Sequence, residues 1–141
     1  MSFTTWIIAL ISLSLPQEFT LVGNSTELSQ VTHAPPGVMA SEEFRSWQSP
    51  QGKQVYLFYW APYPVRDSGP IVSAREYPVI VAGQKTKIIE TSQFMGKKQR
   101  VLVSHLQFKN PESSAMIYAS GISLDEFRSI LDHISVHENP L

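Results

Sequence analysis

The side chains best suited to acid–base or metal chemistry are four histidines, His33, His105, His133 and His137. His133 and His137 stand four apart, a spacing that puts two imidazoles on one helix face, where they could share a metal. No carboxylate or third histidine is tied to them by spacing. They also fall where a helix should be ending, a place that favours imidazolium against the helix dipole. No metal site is expected. His105 lies in VLVSHLQF, next to Ser104, and Glu90 on the preceding β-rich stretch can approach it in some registers. Ser104, His105 and Glu90 have the residue types of a hydrolase triad. Neighbouring strand residues point to opposite faces, however, so Ser104 and His105 do not meet. No catalytic residue is expected. The chain has no cysteine, which removes thiol nucleophiles, redox pairs and thiolate metal sites. It also lacks the phosphate-cradling, dinucleotide-binding and nucleophile-elbow motifs, so no cofactor is expected.

Two other constellations suit binding. Trp47, Tyr56, Phe58, Tyr59, Trp60 and Tyr63 form a dense aromatic run. Core packing accounts for most such runs, but Tyr and Trp also combine apolar area with a polar handle and are favoured at binding surfaces. In the binding reading Trp60, Tyr63 and Tyr77 rim a groove, with the Pro-rich loop Pro62–Pro70 as its lip. The second constellation is basic: Lys97, Lys98 and Arg100, with Lys85 and Lys87 nearby. Charges at a hairpin tip commonly serve only solvation and edge protection. The functional alternative is a patch for an anionic partner, a lipid headgroup or an acidic protein surface.

These residues need a scaffold, and the composition supplies one. The 141 residues are 43% apolar and 11% aromatic, enough for a single core without metals or disulfides. Charged residues are 16% and the net charge is −1, so nucleic acid is not an expected partner. Residues Trp6 to Leu15 read WIIALISLSL, about ten apolar residues where a membrane span needs about 20. The length suits the apolar part of a signal peptide, with Ser12 and Ser14 placed for cleavage after Ser14. No Lys or Arg precedes it. The competing reading is an apolar first strand or helix of the core. The expected organisation is an export segment over 1–14 and one domain over 15–141, located in the periplasm or secreted.

Along the rest of the chain, Glu18 to Val22 suits a short strand and Gly23 to Ala40 a polar loop. Phe44 to Gln48 and Gln54 to Ala61 should pair around Ser49-Pro50-Gln51-Gly52. In QVYLFYWA, Val55, Leu57, Tyr59 and Ala61 fall on one face and Tyr56, Phe58 and Trp60 on the other. Apolar residues on both faces suit a central strand. Ile71 to Val81 should form one or two short strands, with Pro78 marking an edge or bulge. Lys85 to Phe94 and Arg100 to Phe108 read as a long hairpin through Gly96. Ala115 to Ala119 is a further strand. Ser123-Leu124-Asp125-Glu126 is a capping box opening a helix with Phe127, Ile130, Leu131 and Ile134 on its apolar stripe, and Val136 to Leu141 is a tail.

The hairpin through Gly96 followed by AMIYASGISLDEFRSILDHI resembles the Mog1/PsbP/DcrB-like superfamily over about residues 79 to 135. There a strand, Met116 to Ala119, leads into a capped helix carrying Phe127, Ile130 and Leu131. The resemblance implies an α/β/α sandwich and a binding or accessory role, and no shared catalytic residues. Taken together, the expectation is an α+β domain, mainly antiparallel sheet with a C-terminal helix packed on one face. Its expected function is that of an exported, non-enzymatic accessory or binding protein for a protein or small-molecule partner. Two alternatives remain: a small hydrolase-type enzyme using His105 or His33 with a carboxylate, and an inhibitor or immunity-type protein presenting Pro62–Pro70.

Overall fold

The computed structural model of the chain describes residues 2–30, 39–61, 71–94, 96–109 and 112–137. The strands are β1 (Phe3–Ile8), β2 (Ile11–Pro16), β3 (Thr20–Gln30), β4 (Met39–Gln48), β5 (Gln54–Ala61), β6 (Ile71–Val81), β7 (Gln84–Phe94), β8 (Lys97–Lys98), β9 (Leu102–Lys109), β10 (Glu112–Ser120) and β11 (Ile134–Val136). One helix, α1 (Leu124–Asp132), stands between β10 and β11.

The main sheet runs β3-β4-β5-β10-β9-β7-β6, with β8 pairing β7 at the hairpin tip. Every pairing is antiparallel. It is two meanders, β3 to β5 and β6 to β10, joined where β5 pairs β10 from Gln54↔Ser120 to Trp60↔Ser114. A smaller sheet, β1-β2-β11, ties the C-terminal strand to the first hairpin. The fold is thus mainly antiparallel sheet with a C-terminal helix, as expected from the alternation and the capping box.

One face of the main sheet builds the principal core. Val55, Leu57 and Tyr59 of β5, Leu102 and Leu106 of β9, and Ile117 of β10 pack there against Phe127, Ile130 and Leu131 of α1. The same cluster holds Ile8, Ile11, Leu13 and Leu15 of the small sheet. The alternation expected for QVYLFYWA is realised: Tyr56, Phe58 and Trp60 lie on the opposite face, half-buried. Among the described residues no helix covers that second face.

The capping box forms as read. The Glu126 amide donates to Ser123 Oγ at 3.1 Å, and Glu126 Oε1 accepts from the Ser123 amide at 3.2 Å. Pro78 does lie on an edge strand, because β6 ends the sheet, but Ile71–Val81 is one strand with register shifts near Ser73. Other expectations need correction. The polar stretch after Val22 is strand to Gln30 and again from Met39, since β3 at the sheet edge and the start of β4 beside it are held by backbone pairing, which needs no apolar side chains. Residues 31–38, with His33, lie outside the described residues. The helix stops at Asp132; Ile134 leaves the helical stripe to pair with Leu13, so residues 134–136 are strand rather than helix end and tail.

The largest departure is at residues 1–14. The segment expected as an export signal is a β-hairpin, with Ile8, Leu10, Ile11 and Leu13 buried in the core. The expected boundary after Ser14 falls inside β2, and the fold does not divide there. In this fold the apolar run is part of the core. Its ten residues make two short strands around Ala9 and Leu10, with Ala9 at a φ of 53° in the turn. No helix among the described residues is long and apolar enough to cross a membrane.

Candidate functional site

The candidate site is the second face of the main sheet, built by cross-strand pairing. Tyr56 on β5 stands opposite Tyr118 on β10, and their rings stack at 4.5 Å with planes 7° apart. Phe58 stands opposite Phe44 on β4, centroids 4.6 Å apart. Trp60 stacks on Phe58 at 5.1 Å, and Phe94 of β7 meets Tyr118 at 4.9 Å. The result is one aromatic cluster running across β4, β5, β10 and β7. Such pairs contribute about 0.5–1.5 kcal/mol each beyond area burial. Phe44, Tyr56, Phe58, Trp60 and Tyr118 are all half-buried, so the cluster also offers apolar surface to solvent.

At the β7 end the cluster opens into a concavity of about 220 Å³ lined by Tyr56, Phe94, Lys97, Gln99, Val101, Tyr118 and Ser120. Gln54 Oε1 accepts hydrogen bonds from the Tyr56 hydroxyl and the Ser120 hydroxyl, which fixes the polar corner. Burial, reinforced by neighbouring Tyr56, pushes the Tyr118 phenol up to about 12. Burial raises Tyr56 as well. Both rings therefore stay neutral across the physiological range, and Lys97 is the cation of the rim. The arrangement can hold a planar apolar group against the rings and meet a negative charge at Lys97.

The expected groove of Trp60, Tyr63 and Tyr77 does not assemble from its described members. Trp60 belongs to the aromatic face. Tyr77 packs on the principal core, donates to Glu90 Oε1 at 3.2 Å and lies under the Arg128 guanidinium at 5.8 Å. The sheet separates the two. Tyr63 and the loop from Pro62 to Pro70 lie outside the described residues. The basic patch also divides. Lys97 and Lys98 are exposed on β8, whereas Arg100 donates to Glu90 at 3.0 Å and to the Ile122 carbonyl at 3.1 Å, fixing the approach to α1.

Register removes the triad as well. Glu90 stands opposite Leu102, not His105, and holds Arg100 and Tyr77. The Arg100 hydrogen bond lowers the Glu90 carboxyl, so it stays ionised. Ser104 is fully buried on the core side, and its Oγ has no hydrogen-bond partner. His105 faces the aromatic side next to Met116, and burial lowers its imidazole. His133 and His137 do not share a helix face, since α1 has already ended. The His133 ring stacks on Phe3 at 4.6 Å, while His137 Nε2 meets Ser12 Oγ at 3.2 Å. Among the described residues no group of three metal-binding side chains gathers.

A second concavity, about 250 Å³, lies between the first hairpin and α1, lined in part by Phe3, Phe19, Ile130, Lys53 and Glu126. Its lysine and one glutamate pair at 2.7 Å, and the further carboxylate on its wall is Glu18, so it has no unpaired lysine to meet an anion. The residues that sequence reasoning missed are Phe44, Phe94 and Tyr118. Their types signalled nothing unusual; the β4–β5 pairing sets Phe44 against Phe58, and the pairing of β5 with β10, some 60 residues apart in the chain, brings Tyr118, and through it Phe94, to Tyr56. Comparison with models of protein families, with curated proteins and with solved structures finds no match to this chain.

Proposed function

We propose that the protein is a non-enzymatic binding protein whose ligand sits on the aromatic face, in the concavity between Tyr56, Tyr118 and Phe94, with Lys97 at its rim. One observation carries the reading: three aromatic rings and one exposed ammonium converge on a single concavity of about 220 Å³. The chemistry favours a ligand with a planar apolar group and a carboxylate or phosphate. Lys97 is the member of the basic patch that belongs to this site, and Trp60 flanks it through Phe58. Among the described residues the hydrolase alternative has no nucleophile placed beside His105, since Ser104 faces the other side of the sheet. Kinship with the Mog1/PsbP/DcrB-like superfamily remains part of the proposal over residues 79 to 135, supported by the order hairpin, strand, capped helix.

The test is titration with benzoate, phenyl phosphate and neutral benzamide, followed by shifts of the aromatic ring resonances. Binding of the two anions at Tyr56, Phe94 and Tyr118 is expected. Lys97→Glu should weaken the anions and spare benzamide, and Phe94→Ala should weaken all three. Shifts confined to other parts of the protein, or anion binding indifferent to Lys97→Glu, would overturn the reading.

A further inference from the structure

The described sheets have four outer edges, and they are not equally protected. An unprotected edge presents unpaired N–H and C=O groups that another strand can extend. At one end of the main sheet, β6 carries Pro78, the charges Arg75 and Glu76, and two register shifts. At the other end, β3 carries Glu27 and a register shift at Gly23. In the small sheet, β11 is three residues long. The remaining edge, β1, reads FTTWII: six residues, no charge, no proline, and an unbroken register against β2.

The ladder fixes which groups β1 presents outward. The Gln17 amide donates to the Ser2 carbonyl at 2.9 Å, which makes Ser2 and Gln17 a hydrogen-bonded pair. Pairs alternate along an antiparallel ladder, so Thr4, Trp6 and Ile8 also bond to β2. Phe3, Thr5 and Ile7 then point their N–H and C=O groups away from it. Pro16, which has no N–H, stands opposite Phe3, as a non-bonded position requires. The outward residues are also exposed: Phe3 is 41% and Ile7 75% accessible.

We propose that two copies of this chain associate through β1, antiparallel about a two-fold axis at Thr5. Thr5 then opposes the partner's Thr5, and Phe3 opposes the partner's Ile7. Because Phe3 and Ile7 lie two residues either side of Thr5, this register pairs outward groups with outward groups. It also keeps matching side chains on matching faces. The two exposed apolar residues cover each other, and the two small sheets become one six-stranded sheet. A charged or arbitrary peptide gains no such symmetry, so the occupant that the pattern fits is a second copy.

Sedimentation of the full chain over a concentration series tests this. A species of twice the 15.8 kDa chain mass is expected. Thr5→Pro removes an N–H that β2 does not use, and Ile7→Lys places a charge at the contact; each should give a monomer with unchanged circular dichroism. The chain has no cysteine, so Thr5→Cys reports directly. Opposed residues at this spacing allow a disulfide, and oxidation should crosslink Thr5→Cys but not Val22→Cys, a control 61% exposed on β3. A wild-type monomer at all concentrations, a dimer that survives both Thr5→Pro and Ile7→Lys, or growth beyond two copies would each overturn the proposal.

Discussion

Removing residues 1–14 should unfold the protein. In the sequence those residues have the shape of an export segment, whereas in the fold they are β1 and most of β2. Ile8, Leu10, Ile11 and Leu13 are all buried against the principal core, and Trp6 packs at 6.0 Å on Trp47, itself fully buried. Burial of each aliphatic side chain is worth about 1.5–3 kcal/mol, so the four represent about 6–12 kcal/mol. Truncation also releases the chain entropy those residues had lost, which offsets their own share. Burial is mutual, however. A comparable apolar area on Trp47, Ile134 and their neighbours loses its cover with no entropy returned. β11 loses its pairing with β2 as well. The total is comparable to the whole stability of a domain, about 5–15 kcal/mol. A chain beginning at Leu15 should therefore lack a cooperative denaturant transition, and Trp47 emission should be shifted to the red in buffer alone. A truncated chain that unfolds cooperatively at the full-length midpoint would refute the reasoning, make residues 1–14 a passenger, and return them to the export reading.

Three further perturbations probe particular contacts. Gly23→Ala would put a Cβ 2.3 Å from Ser46 Oγ inside the β3–β4 pairing, and should cost about 1–3 kcal/mol in equilibrium unfolding. Adding Ser46→Ala removes the clashing oxygen, and recovery of less than half the loss would locate the strain elsewhere. Ser104→Ala deletes a buried hydroxyl without a partner, so stability should stay level or rise by up to about 1 kcal/mol. A loss greater than 1 kcal/mol would mean the hydroxyl is satisfied. Tyr118 carries a phenol raised from 10.0 to about 12, so the folded state keeps a proton that the unfolded state releases. Its contribution is present below pH 10 and disappears as the pH climbs to about 12. The loss there is about 1–2 kcal/mol after allowance for screening at its solvated rim. Tyr118→Phe should flatten that stretch of the stability–pH curve, and an unchanged slope would remove Tyr118 as its source.

Local signals in the sequence carried through where local physics decides the outcome. The capping box at Ser123 and Glu126, the hairpin turn at Gly96 and the two faces of QVYLFYWA depend on neighbours a few residues away. Pro78 marked an edge for the same reason: it lacks the N–H that an inner strand must donate. What depended on distant pairing was not legible. Glu90 could approach His105 in some registers, but the β7–β9 register sets it against Leu102. Tyr77 and Trp60 look alike as groove residues, yet the sheet passes between them. The segment from Trp6 to Leu15 was ambiguous for a different reason. Two short buried strands and an export segment both need about ten apolar residues, and the pairing of β2 with β11, from the far end of the chain, has no local signal.

The two faces of the main sheet explain why the aromatic run deserves a functional reading despite its core-like composition. A sheet needs one well-packed face to fold, and Leu57, Leu102, Leu106 and Ile117 supply it beneath α1 and the small sheet. If the second face served stability alone, aliphatic side chains of similar volume would suffice there. Instead it carries Phe44, Tyr56, Phe58, Trp60 and Tyr118, large rings packed on one another and left half-open, with buried Phe94 and a lysine beside them. Stacking at 4.5 to 5.1 Å makes these rings a rigid surface, so a ligand meets it with little ordering cost. On the proposed binding role, stability and recognition fall to opposite faces. Conservative changes such as Tyr56→Phe should therefore alter binding more than folding, while Leu57→Ala should do the reverse.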